Sequence, residues 1–397
     1  MTTRVAYVCA DPGVPVFGTK GASVHVQEII RAWRARGAEV RLYVARTGDR
    51  VPADLADVPV VVEKVDGGDR ELPPGARTAQ RERNQLEAAR RLAEHVVADG
   101  ADVVYERYSL FSTALADVVG ATGAQGVLEV NAPLVDEQRT HRHLVDEAGA
   151  LRVLRRQVAV AASVACVSAP VADWVRRHMG ADTAGGRVVV TPNGVNTDRI
   201  TPVVPDADGP ATVLFVGTLK PWHGVEVLLE AAALAREAWT VRLVGDGPQA
   251  PVLRDLAGRL GLDVDFRGAV APEEVPAQLA GAEVAVAPYP AAEADQQYFS
   301  PLKLYEYAAA ALPVVASDTG QVGTVVEDGV TGLLVPPSDP EALARAVDAL
   351  VTDRGRAREL GRAARERAVR EHSWHRVLDR ALAPLTPEPG RVDPWVA

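Results

Sequence analysis

The chain has 397 residues, 47% hydrophobic and 24% charged, which is enough material for two globular domains, each with its own core. Its net charge of −10, with no basic stripe, excludes general nucleic-acid binding. Its two cysteines, Cys9 and Cys166, lie inside apolar runs and read as small buried hydrophobes, so neither a disulfide nor a metal site is expected. No stretch approaches the roughly 18–20 uninterrupted apolar residues of a membrane span, and the first apolar run is too short for a secretory signal, so a cytoplasmic location is expected.

In chain order, Arg4 to Ala10 is an apolar run of strand length, followed by a Gly- and Pro-rich loop and a helix-period stretch from about Ser23 to Arg36. The joining segment, Phe17-Gly18-Thr19-Lys20-Gly21-Ala22-Ser23-Val24-His25, lets backbone approach a ligand at Gly21 and ends at a helix N-terminus that favours negative charge. Ser23 is expected as the helix cap. The spacing matches neither a dinucleotide fingerprint nor a P-loop. His25, in the first turn, is close enough to reach a ligand, although a lone histidine is more often structural.

Further strands are expected at Glu39–Val44, Val58–Val62, Val103–Tyr105 and Gly126–Val130, with a helix over Ala79–Val97. This alternation signals a parallel sheet covered by helices on both faces. After the last of these strands, Glu129, Asn131, Glu137, Arg139 and His141 crowd polar groups together, either as the lining of an acceptor pocket or as a solvated loop.

The pattern restarts near Arg187, with strands expected at Val188–Val190, Val213–Val216, Thr240–Val244, Val264–Phe266, Val284–Ala287 and Pro313–Ala316. The expected division is a first domain over 1–186, a second over 187–373, and a final helix and tail over 374–397. A Pro-rich linker is expected over 196–210, and Trp395 suggests that the tail is pinned. In doubly wound domains ligands bind outside the carboxyl ends of the strands. Each polar cluster of this sequence follows a strand.

Leu214 to Gly224 repeats the strand–loop–helix logic, with Lys220 and His223 placed to neutralise a diphosphate and Trp222 as a platform or a loop anchor. Gly245-Asp246-Gly247-Pro248 and Arg267-Gly268 follow the next strands, and the second pair suits a base edge. Ser300-Pro301-Leu302-Lys303-Leu304-Tyr305-Glu306 turns a loop into a helix, with Pro301 expected at its first position. Lys303 and Glu306 then lie one turn apart, as a phosphate-binding cation beside a carboxylate able to accept two ribose hydroxyls, or as a plain surface ion pair. Of the 43 lysines and arginines only Lys20, Lys64, Lys220 and Lys303 are lysines, and three of the four fall in these segments.

Taken together, Gly18–His25, Thr191-Pro192-Asn193-Gly194-Val195, Val216–Leu219 with His223-Gly224, Gly245–Pro248, Ser300–Ala308 and Asp328–Val335 with Pro340–Leu343 resemble retaining glycosyltransferases of family 4 along nearly the whole chain. The resemblance implies the GT-B fold, an α/β architecture of two Rossmann-like doubly wound domains facing a central cleft. It further implies transfer of a sugar from a nucleotide diphosphate sugar (UDP, GDP, ADP and dTDP all open) to an acceptor hydroxyl, with retention and no dedicated metal or other cofactor. The second domain would hold the donor, with Glu306 on the ribose, the backbone of Phe299, Ser300, Pro301 and Leu302 near the diphosphate and sugar, and Gly21, Gly217, Thr218, His223, Arg267 and Gly268 completing the site.

The first domain would hold the acceptor, a natural product, glycan or lipid, through Lys20, Glu129, Asn131, Glu137 and His141. The last helix would cross back to the first domain. Two positions depart from the family. Tyr298 stands where a sugar-binding glutamate is usual, leaving Glu293 or Asp295 as substitutes, and Thr218 and His223 stand where a cation pair is usual. Lys220 and Lys303 are therefore expected to stabilise the leaving diphosphate in a front-face substitution, with His25 beside them as a catalytic candidate. The alternatives are a sugar-nucleotide epimerase or hydrolase of the same architecture, or a donor-binding subunit without catalysis. Arg152, Arg155, Arg156, Arg176 and Arg177 offer a basic face for a lipid surface, but arginine is this chain's ordinary surface cation and peripheral membrane contact is not favoured.

Overall fold

In the computed structural model the described residues are 2–179, 187–206, 209–291 and 298–385. They form two compact units, the first holding the chain up to Pro192 and again from Val377, the second Asn193–Arg376. Among the described residues no helix is long and apolar enough to cross a membrane.

The first unit runs β1 (Arg4–Cys9), α1 (Gly21–Ala35), β2 (Glu39–Val44), β3 (Val60–Val62), α2 (Pro74–Asp99), β4 (Val103–Arg107), α3 (Ala114–Thr122), β5 (Gln125–Val130), α4 (Leu134–His141), α5 (Glu147–Val160), β6 (Ser163–Cys166), α6 (Ala169–His178) and β7 (Val188–Val190). The strands form one parallel sheet in the order β3-β2-β1-β4-β5-β6-β7. A parallel sheet covered on both faces needs apolar residues on both sides of each strand, and in β1 every residue from Val5 to Cys9 is buried. Helix α1 sets Val26, Ile29, Ile30 and Trp33 against the sheet, the spacing of one helical face.

The second unit runs β8 (Ala211–Val216), α7 (Val225–Leu234), β9 (Trp239–Val244), α8 (Ala250–Leu260), β10 (Val264–Gly268), α9 (Val275–Leu279), β11 (Val284–Ala287), α10 (Leu302–Ala309), β12 (Val314–Ser317), α11 (Val322–Val325), β13 (Leu333–Val335), α12 (Pro340–Thr352) and α13 (Arg354–Glu371), and α14 (Trp374–Leu382) leads out of it. Its parallel sheet has the order β10-β9-β8-β11-β12-β13. Alternation along β8 sends Val213 and Phe215 into one core, with Leu228, Leu243 and Leu360, and Leu214 and Val216 into a second, with Tyr305 and Tyr307.

Three expectations are corrected. Val188–Val190 belongs to the first sheet, in register with β6 (Val164↔Val188), so the division falls after Pro192 and not before Arg187. A run of three valines announces a strand without announcing its neighbour. The stretch expected to be a linker is pinned to the second unit over its described part. Val203 N–H donates to the Ala310 carbonyl at 2.9 Å, Pro205 bridges to Gly281, and the Arg365 guanidinium donates to the carbonyls of Thr197, Ile200 and Ala309. Ser23 is the third residue of α1 rather than its cap, a place taken by the backbone of Lys20. From Val377 the chain belongs to the first unit, where Val377, Leu378 and Ala381 are buried and Asp379 pairs with Arg36. Trp395 lies outside the described residues.

Between α10 and β12 the chain turns through Ala311 at φ 55°, a left-handed conformation that costs an L-residue about 1–2 kcal/mol. Helix α13 approaches the same turn through Gly361, where an added Cβ would stand 2.0 Å from the Ala311 carbonyl oxygen. Urea unfolding of Ala311→Gly should show a gain of about 0.5–1 kcal/mol, the relieved strain less the entropy of a glycine. Gly361→Ala should lose about 1–3 kcal/mol to overpacking. The reverse order of the two variants would refute this account of the turn.

Candidate functional site

In the second sheet the strand order reverses between β8 and β11, the place where doubly wound sheets bind ligands. The loops that follow β8, β9 and β11 meet through glycine. A Cβ on Gly245 (φ 141°) would lie 1.9 Å from the Gly217 carbonyl oxygen, and one on Gly224 (φ 62°) would lie 1.9 Å from the Pro288 carbonyl oxygen. Only glycine permits either approach.

Helix α10 aims its first turn at the same place. Pro301 is its N-cap, so the helix begins at Leu302, one residue later than the sequence suggests. Lys303 turns inward, 8% exposed, with Nζ 4.0 Å from the ring centroid of Phe215 and 5.2 Å from that of Tyr289. A Cβ on Gly217 would come within 3.0 Å of that Nζ. The ammonium has no hydrogen-bond partner. Burial pushes its pKa down to about 7, partly opposed by the Glu306 carboxylate one turn further along the half-buried face. Lys303 is therefore not the surface ion-pair partner that its spacing allows.

The helix is anchored at both ends of this turn. Tyr307 Oη accepts a hydrogen bond from Val216 N–H at 2.7 Å. Ser300 accepts from Asn193 N–H at Oγ (3.0 Å) and from Asn193 Nδ2 at its carbonyl (2.7 Å), and its Oγ also meets Tyr305 Oη. The Ser300 side chain is thus engaged within the fold.

In the turn after β8, His223 Nδ1 bonds the carbonyl of the exposed Thr218, so Nδ1 carries the proton and Nε2 is left as an acceptor. Burial, reinforced by the Lys303 and Lys220 ammoniums, lowers its pKa to about 4. His223 is neutral near pH 7, which corrects its expected role as a cation. Trp222 is 59% exposed and anchors nothing in the core; Lys220 Nζ lies over its ring, 4.4 Å from the centroid. Phe299 packs on Tyr289 with ring centroids 5.2 Å apart, and Tyr298 beside it is half-buried. Arg267 is exposed and paired with Asp265 at 2.7 Å, while the Gly268 carbonyl accepts from Gly245 N–H. Glu293 and Asp295 lie outside the described residues.

The first unit gathers a second cluster, at the carboxyl ends of β1, β4 and β5. Glu129, 3% exposed, accepts from Arg107 Nη1 (3.0 Å) and Asn131 Nδ2 at one oxygen and from Tyr105 Oη (2.7 Å) at the other, where His25 Nε2 also lies at 2.9 Å. Burial pushes the Glu129 carboxyl up, but His25, Arg107 and the Tyr105 hydroxyl outweigh it and hold the pKa at about 2. Two expectations change as a result. His25, 4% exposed behind this carboxylate, organises the cluster instead of reaching a ligand, and Glu129 is its hub instead of a pocket wall. Arg107 and Tyr105 were not picked out from the sequence, because nothing in Val103–Arg107 marks a charge at a strand end as different from any other arginine. Lys20 and Gly21 are exposed at the start of α1, Glu137 is half-buried on α4, and His141 is exposed at its end.

Residues 19–199 match the family model "Glycosyltransferase Family 4" and residues 210–353 match "Glycosyl transferases group 1". The D-inositol 3-phosphate glycosyltransferase of Geodermatophilus obscurus is 30% identical, over 92% of this chain and 84% of its own length. The alpha-D-kanosaminyltransferase of Streptomyces kanamyceticus is 35% identical over 36% of each chain. Among solved structures, sucrose-phosphate synthase from Thermosynechococcus elongatus superposes with a TM-score of 0.69 at 23% identity, over 96% of this chain and 97% of its own. HepE of Anabaena with UDP-glucose does so with a TM-score of 0.69 at 19% identity, over 96% and 99%. These structural likenesses show the fold.

Lys303 makes the stability of the second unit depend on pH. Its folded pKa of about 7 lies below the unfolded value of 10.5, so the unfolded chain binds the extra proton between them. The penalty is therefore full below pH 7 and disappears as pH rises through 10.5. Urea unfolding should find Lys303→Met more stable than the native chain at pH 6.5, on the order of a few kcal/mol, with the difference shrinking at pH 9.5. A pH-independent difference would show that the ammonium is not strained by burial.

Proposed function

The chain belongs to glycosyltransferase family 4, and on that premise we propose that it transfers a sugar from a nucleoside-diphosphate donor to an acceptor hydroxyl with retention at the anomeric carbon. The observation that carries the donor assignment is Lys303, a buried ammonium without a hydrogen bond at the β8–β11 reversal. An arriving diphosphate supplies the missing partner and raises the lysine's pKa, so binding holds the charge in place. Lys220 leaves the face of Trp222 to add a second cation, and the free N–H groups opening α10 complete the anion site. HepE of Anabaena, solved with UDP and with UDP-glucose, supports a nucleoside diphosphate as the ligand.

Within the donor, Glu306 takes two ribose hydroxyls, and the backbone at Gly268, with Arg267, takes the base edge. Thr218, Gly217 and the Phe299–Leu302 backbone line the diphosphate and sugar, and Gly21, at the start of α1, is assigned to the anion-binding end of the first unit's helix. Neutral His223 offers Nε2 to a sugar hydroxyl, and Tyr298 takes up the position beside it. The acceptor, a natural product, glycan or lipid, is assigned to the first unit, through Lys20, Glu137, His141 and Asn131, the last of which bonds Glu129.

The proposed step is a front-face substitution. The bond from the anomeric carbon to the diphosphate oxygen breaks, the acceptor oxygen forms its bond on the same face, and the departing diphosphate takes the acceptor's proton. The charge that develops on the leaving group is met by Lys303, Lys220 and backbone N–H groups, so the proposal assigns no step to a metal ion.

Glu306→Ala should weaken nucleotide-sugar binding by about 10–100-fold in calorimetry, the worth of two hydrogen bonds to a carboxylate. Saturation-transfer NMR over UDP-, GDP-, ADP- and dTDP-sugars identifies the donor for that measurement. Unchanged affinity would remove the ribose role. Transfer should also persist in excess EDTA; its complete loss there would exclude the metal-free step, and donor turnover equally fast without any acceptor would point to a hydrolase.

A further inference from the structure

In the first sheet β1 to β3 are laid down in one direction and β4 to β7 in the other, so strand order reverses between β1 and β4. Arg107 ends β4 at that point, one residue beyond the pair Val8↔Glu106 and in register with Glu129 of β5. Its side chain is 13% exposed. A guanidinium has five N–H donors, and here one hydrogen bond is made, from Nη1 to Glu129 Oε1 at 3.0 Å. No other carboxylate of the described residues lies within 4 Å of it, and its two unbonded nitrogens, Nε and Nη2, are not sealed from solvent. Around it stand Tyr7 and Cys9, both held neutral by burial, the hub Glu129, and Asp11, whose Oδ1 accepts from Gly13 N–H at 2.7 Å.

Glu129 is saturated by Arg107, Asn131, Tyr105 and His25, so it anchors the guanidinium at Nη1 and has no oxygen left for a ligand. A largely buried guanidinium with open donors at a ligand-binding reversal is complementary to a planar or tetrahedral oxyanion, which it grips two-pronged. We infer that Arg107 binds an oxyanion of the acceptor, a phosphate monoester or a carboxylate set beside the hydroxyl that receives the sugar. The inference rests on the transferase reading for the word acceptor, but the oxyanion site stands on the first unit's own geometry.

The site is tested directly on the full chain by NMR of arginine Nε–H groups, the Arg107 signal being the one missing from Arg107→Lys. This variant keeps a cation beside Glu129 and so keeps the hub paired. Inorganic phosphate and acetate are titrated separately. A saturable shift of the Arg107 signal with either probe, unchanged in Lys303→Ala, supports the site, and the probe with the tighter Kd distinguishes phosphate monoester from carboxylate. A signal that moves with neither, or that moves only while Lys303 is present, overturns it.

Transfer assays then compare a neutral polyol with its phosphate monoester and its carboxylate. The anionic member should be better by at least ten-fold in kcat/KM, with the advantage lost in Arg107→Lys, and a neutral acceptor favoured over both overturns the assignment. Absence of transfer to every member would count against the transferase reading alone, since the NMR shift decides the oxyanion site independently.

Discussion

Burying a lysine ammonium without a hydrogen bond is the constraint around which the second unit is arranged. Desolvating such a charge costs several kcal/mol, and here it is offset by the faces of Phe215 and Tyr289, each worth about 0.5–2 kcal/mol, and by the nearby Glu306 carboxylate. That balance holds only if α10 cannot rotate. Tyr307 ties it to the end of β8, Ser300 and Asn193 fix its entry, and Arg365 caps its exit at the Ala309 carbonyl. Gly217 completes the arrangement by leaving out the Cβ that would press on the ammonium.

The two units share one topology and treat charge at the strand-order reversal in different ways. In the first unit a carboxylate is surrounded by donors until both of its oxygens are occupied, so the network is complete in itself and its pKa is driven down. In the second an ammonium is left incomplete, and its pKa is driven down because the charged form is the costly one. A satisfied hub orients its neighbours, whereas an unsatisfied charge suits the anion proposed for it. The same doubly wound frame thus holds a fully paired carboxylate in one unit and an unpaired ammonium in the other.

Much of this was legible in the sequence. The β-α rhythm gave both parallel sheets, since strands buried on both faces are apolar throughout, and the one-turn spacing of Lys303 and Glu306 placed them on one helix face. What failed to show depends on the third dimension. Val188–Val190 reads as a strand whichever sheet it joins, and only β6 settles the matter. His25 was credited with reach because a histidine in a first turn looks available, but reach is set by what packs over it, and here that is Glu129. The bond between Ser300 and Asn193 joins residues 107 apart in the chain and has no local signal. The contact of Lys220 with the adjacent Trp222 ring is likewise invisible in the sequence, where either residue alone is ordinary.

The choice between lysine and arginine shows why one charge was visible and the other was not. In a chain where arginine is the default cation, a lysine at 303 stands out, and the structure supplies its reason. An arginine between Phe215 and Tyr289 would remain charged and buried, whereas a lysine with a pKa of about 7 sheds part of its charge near neutral pH and would regain it on binding the proposed diphosphate. At 107 the reverse holds. Glu129 is permanently at hand, so a permanent charge is no burden there, and the planar fork of arginine can hold the carboxylate with one donor and keep the others for a ligand. Lysine suits a place where the charge must be conditional, and arginine one where it is already paired, so an arginine such as Arg107 is hidden among ordinary ones until the fold shows how few of its donors are used.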